Sequence, residues 1–196
     1  MSEPSEYRPE VPSLERSVLI GGVGLALVSL FVFATVAFAE GWMYQNLGIA
    51  GAYLAWTVLF IVLGGGALGS LVVNHWRLPK FYLLFGLAFF VYAAGWTTAY
   101  FILGGRVGEL IGSLAGSLLM GMVLTLALSG IHAERLALYL SLLLFVANSI
   151  GYFLGSMIND SVRGRPGMLL WGAVYGLCFG AGLGSVLHFA QLKRSS

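Results

Sequence analysis

Apolar and polar positions alternate along the chain in long blocks. Six apolar stretches, residues 17–39, 47–73, 81–103, 107–128, 136–157 and 167–189, are separated by short polar ones. A bilayer's hydrocarbon core of about 30 Å needs about 20 helical residues at about 1.5 Å each, so every stretch is long enough to cross. Short connections make successive helices antiparallel neighbours. The pattern therefore predicts an all-α integral membrane protein, a bundle of six transmembrane helices. Its expected organisation is a polar cytoplasmic tail over 1–16, one six-helix domain over 17–190, and a short basic cytoplasmic end over 191–196. The first stretch ends in a signal-peptidase-like Ala37-Phe38-Ala39, but it is longer than a signal peptide's apolar region and is read as a retained helix.

Composition agrees with lipid as the main solvent. Hydrophobic residues make up 59% and charged residues 9%, with a mean hydropathy of +0.90, whereas a soluble domain carries about 25% charge. The net charge of +2, with no basic run, argues against nucleic acid as a partner. Seven cationic residues (Arg8, Arg16, Arg77, Lys80, Arg135, Lys193 and Arg194) share one side with both termini, against Arg106, Arg163 and Arg165 on the other. The positive-inside rule then puts both termini in the cytoplasm, and a bacterial inner membrane is the expected location.

Glycine changes the picture further, because 28 residues is about twice ordinary usage. Gly172, Gly176, Gly180 and Gly184 recur every four residues, as do Gly108, Gly112 and Gly116, and Gly65 with Gly69. Each set lies on one helix face, and in lipid such faces let backbones approach closely. The even-numbered helices are accordingly expected to form the tightly packed inner layer. The second and sixth stretches also align without a gap at a constant 115 residues, pairing Trp56 with Trp171, Gly65 with Gly180, Leu68 with Leu183, Gly69 with Gly184 and Ser70 with Ser185. Helices one and two thus resemble helices five and six in the same orientation, a parallel repeat. Helices three and four are candidates for a diverged third hairpin.

Candidate chemistry is sparse. Glu109 is the only formal charge within a stretch, so no acid or base sits at mid-membrane and an intramembrane enzyme is not expected. Ser113 and Ser117 lie in the outer half of helix four and His188 at the cytoplasmic end of helix six, about 20 Å away, too far for a serine–histidine dyad. The single Cys178 excludes a disulfide within the chain and a thiolate cage. His75, His132 and His188 share one depth and are weak candidates for a metal site, though no cofactor is expected. Glu40 and Asp160 at the outer helix ends, against loop solvation and ion pairing, and Trp56, Trp96 and Trp171, against interfacial anchoring or packing, are the candidates for a vestibule or ligand contact.

Two functions follow. The first is a channel or transporter for a small solute; the second is a non-catalytic subunit that packs on partner membrane proteins, or binds pigment or lipid, through its glycine faces. The bilayer, further copies of the chain or other membrane subunits, and a small solute are the expected partners.

Overall fold

The computed structural model describes residues 10–73 and 78–195, and no strand occurs among them. Five helical elements follow one another: α1 Leu14–Gly69, α2 Leu78–Leu103, α3 Gly105–Ser129, α4 Glu134–Val162 and α5 Gly164–Ser195. All five are long and apolar enough to cross a membrane. Their outer faces carry large apolar side chains such as Leu19, Leu27, Leu83, Phe90 and Phe101, a surface that water would not tolerate over such an extent.

Five elements replace the six separate helices expected from the apolar stretches. The difference lies in α1, whose 56 residues run through the polar segment at 40–46 that reads as a loop. Glu40, Gln45 and Asn46 are helical there. The side chain of Glu40 accepts a hydrogen bond from Tyr44 and Asn46 bonds back to the Trp42 carbonyl, so this segment satisfies its polar groups without leaving the helix. Glu40 therefore does not end a helix.

The chain reverses instead at Gly48, which has φ 68° and ψ 173°. Only glycine reaches that region without strain. A Cβ built on Gly24 would lie 3.1 Å from the Cβ of Ala67, although on an unbroken helix these residues would be on the order of 60 Å apart. Hence α1 is a hairpin whose first arm, 14–47, packs antiparallel on its second arm, 49–69.

The same turn recurs. Gly104, between α2 and α3, has φ 65° and ψ 166°, and Arg163, between α4 and α5, has φ 56° and ψ 162°. Gly48 and Arg163 are separated by the same 115 residues as the paired tryptophans and glycines; Gly104 falls between them, 56 residues after Gly48 and 59 before Arg163. Counting from the turns makes Gly65, Gly121 and Gly180 equivalent, and likewise Leu68, Leu124 and Leu183, each of the three leucines fully buried. Gly65 abuts Tyr82 of α2 and Gly121 abuts Ser141 of α4, two residues that are themselves equivalent in this count; Gly180 abuts Gly21 and Leu25 of the first arm.

The elements pack in a closed succession: first arm on second arm, second arm on α2, α2 on α3, α3 on α4, α4 on α5, and α5 back on the first arm. The closing contact is the most intimate. A Cβ on Gly176, Gly180 or Gly184 would run into the carbonyl oxygens of Leu25, Gly21 and Ser17 respectively, and one on Gly172 would meet the Phe33 ring. Gly108, Gly112 and Gly116 lie under Tyr100, Trp96 and Tyr92 of α2, and Gly69 under Leu78. Across the centre, Tyr92 of α2 packs on Phe179 of α5 with ring centroids 5.5 Å apart.

The C-terminal end of α5 ties the other elements together. Its Gln191 donates to the Leu71 carbonyl and accepts from the Val73 amide, satisfying the backbone where α1 ends. Ser129, at the end of α3, donates to the Ala190 carbonyl, and His188 bonds the Pro12 carbonyl.

Gly180→Val should lower stability by about 1–3 kcal/mol, because the added carbons meet the Gly21 carbonyl and the Leu25 Cβ, neither of which can swing aside. Gly41→Val, with open space around it in the helix, should be neutral or raise stability by a few tenths of a kcal/mol, about the helix-propensity difference. Arg163→Gly should raise stability by about 1 kcal/mol by relieving the positive φ. Thermal unfolding in detergent measures all three.

Candidate functional site

Polar side chains are buried on α1, α3, α4 and α5, and on α3 they fall in one row. At every fourth position from its N-terminal to its C-terminal end stand Glu109, Ser113, Ser117, Gly121, Thr125 and Ser129. Residues four apart are adjacent on a helix surface, so they form one ridge, winding from the α4 side to the α5 side over about 30 Å. Ser113, Ser117 and Thr125 are fully buried.

Hydroxyls inside a helix commonly bond back to a carbonyl of the preceding turn. Thr57, Ser161 and Ser185 do so here, each to the residue four before it. The α3 ridge behaves differently. Ser113 receives a hydrogen bond from Asn148 Nδ2 at 2.7 Å and shares another with Ser149 at 2.8 Å, and Ser129 bonds across to α5. Ser117 Oγ and Thr125 Oγ1 have no partner at all. Gly121, the one ridge position without a side-chain oxygen, is where Ser141 of α4 inserts: its Oγ occupies the space a Cβ on Gly121 would take, and it donates to the Leu118 carbonyl. Glycine here makes room for a neighbour's hydroxyl, and the oxygen row continues through it.

Asn148, at the middle of α4, is the hub of the N-terminal half of this row. Its Oδ1 accepts from Tyr92 Oη at 3.0 Å, and that phenol also meets Tyr175 Oη at 3.3 Å. Four helices thus contribute to one uncharged network. Each member can both donate and accept a hydrogen bond, so it suits a neutral hydrogen-bonding molecule and supplies no charge to balance an ion.

Of the residues singled out from sequence, Trp96 and Trp171 both meet Tyr152, with ring centroids 6.2 and 5.5 Å apart. Glu40 and Asp160 are exposed. They are not equivalent, since the turn register pairs Glu40 with Gly155 and puts Asp160 only three residues before its turn. Trp96 is half-buried and stacked on Tyr100 at 5.1 Å over Gly112. Trp56 meets Tyr44 and Tyr53 edge-on, and Trp171 meets Phe33 and Tyr152 edge-on, so each indole is held by its own neighbours. Both indole Nε1 atoms are nevertheless buried without an acceptor, as is Ser29 Oγ.

Among the histidines, His188 is spent on Pro12 and packs on Phe189, His132 is exposed, and His75 lies outside the described residues. No cluster of metal-ligating side chains occurs among the described residues. Asn148, Ser141 and Thr125 escaped the sequence reading; the four-residue spacing that exposes the glycine ladders runs through Ser113, Ser117 and Thr125 as well and was the available signal. Comparison of the chain with protein-family models, with characterised proteins and with solved structures finds no match.

Asn148→Leu should destabilise the protein by about 1–3 kcal/mol, because Tyr92 and Ser113 lose buried partners. Ser149→Ala, which leaves Ser113 bonded to Asn148, should cost about 0.6 kcal/mol, an ordinary membrane hydrogen bond. A chemical or thermal unfolding series on the two variants separates these values.

Proposed function

We propose that the protein is a membrane channel or transporter for a small, uncharged solute, with six crossings arranged as three parallel-repeat hairpins and both termini on the cytoplasmic side. The observation that carries the reading is the oxygen row of α3, spanning about a bilayer's thickness, with Ser117 and Thr125 buried and unpartnered. A buried orphan hydroxyl costs about 1–3 kcal/mol, which a solute able to donate and accept would recover. Trp56 and Trp171 offer two further orphan donors in the outer half.

The ladders bear on the alternative of an assembly subunit. Such a subunit would present its glycine faces to a partner. Here Gly172, Gly176, Gly180 and Gly184 are covered by the first arm, and Gly108, Gly112 and Gly116 by α2. What remains for that alternative is a shallow apolar groove between α4 and α5, where Ala147, Cys178, Ala181, Gly182 and Ser185 leave the surface low.

Reconstitution into liposomes decides between the two. The protein purified alone should raise the flux of urea or glycerol several-fold over empty vesicles. Copurification with other membrane chains, together with solute flux no greater than in empty vesicles, would overturn the transport reading in favour of the subunit.

A further inference from the structure

We infer that the α3 ridge binds a file of single water molecules between Ser113 and Thr125. The inference deepens the solute-route reading, on which it rests for the purpose of the row, and names what occupies the route when no solute does. Three observations lead to it. Ser117 and Thr125 are fully buried, and their hydroxyls bond neither to their own helix nor to a neighbour. Successive ridge positions rise by about 6 Å, close to the span of two hydrogen bonds of about 2.8 Å through one oxygen, so the spacing of the ridge matches one bridging water per step. Where Gly121 breaks the row, Ser141 supplies an oxygen from α4.

Chemistry selects water over an ion. The polar side chains along the ridge between Ser113 and Thr125 are all uncharged, and the nearest formal charge on it is Glu109, at the N-terminal end of α3. Buried water typically makes about three hydrogen bonds to groups that would otherwise be unsatisfied. Ser117, Ser141 and Thr125, with the carbonyls about them, provide such partners.

Met120 is the built-in reporter. It is fully buried, lies one turn from Ser117, and has exposed counterparts in Met122 and Met157. Hydroxyl radicals generated in place by a millisecond X-ray pulse oxidise methionine next to bound water. In the full-length protein in liposomes, Met120 should oxidise within tenfold of the rate of Met157. The double variant Ser117→Ala with Thr125→Val should reduce Met120 oxidation at least fivefold and leave Met157 unchanged. Protection of Met120 in the wild type would overturn the file.

Stability gives a second readout that needs no labelling. If the hydroxyls stood dry, removing them would raise Tm; with water bound, Tm stays level or falls, and a rise overturns the proposal. Urea flux with Met120 protected would overturn the file and leave the route standing. Oxidation of Met120 without flux would support the file and remove the solute-transport reading instead.

Discussion

Everything in the bundle depends on how closely α5 approaches the first arm of α1. At Gly176, Gly180 and Gly184 the backbone of one helix rests on carbonyl oxygens of the other, at Leu25, Gly21 and Ser17. In lipid there is little hydrophobic force between helices, so dispersion and weak Cα–H···O contacts at such backbone-on-backbone surfaces carry much of the association. This contact joins the last helix to the first arm and so closes the succession of hairpins. It also fixes the position of α5, whose C-terminal end then holds Pro12, the end of α1 and the end of α3 through His188, Gln191 and Ser129.

Once the ring is closed by glycine, the remaining interfaces divide the work between bulk and polarity. Aromatic side chains of α2 cover the glycines of α3, while α4 offers α3 small and polar residues, Ser141, Asn148 and Ser149. Its outer face packed dry and its inner face met by hydroxyls, α3 is the element on which architecture and chemistry coincide. Three turns of one backbone conformation, at Gly48, Gly104 and Arg163, set the hairpins in a common register that brings Leu68, Leu124 and Leu183 to equivalent buried places.

Much of this was legible in the residues, and what was not has physical causes. Apolar length gave the helices, because satisfying every backbone group inside lipid leaves a helix few alternatives. The 115-residue register seen in Trp56/Trp171 and Gly65/Gly180 is the register of the turns at Gly48 and Arg163. The turn itself was misplaced: Glu40, Gln45 and Asn46 look like a loop, yet polar side chains in a helix that extends beyond the hydrocarbon are at no disadvantage, and only Gly48 supplies the φ a reversal needs. The site was hidden for another reason. Serine, threonine and asparagine in membrane helices read as isolated packing residues until the spacing shows which share a ridge, and no periodicity within α4 announces that Ser141 fills the place of Gly121.

The central claim is that the α3 ridge is the route through the bundle. Replacing α3 residues one at a time by leucine or, where leucine stands, by phenylalanine, and measuring urea flux in liposomes for each folded variant, tests it most directly. The account predicts loss of flux at Ser113, Ser117 and Thr125, with little change at Leu119 and Met122 on the exposed face. Losses spread evenly over both faces, or flux indifferent to all five positions, would contradict it.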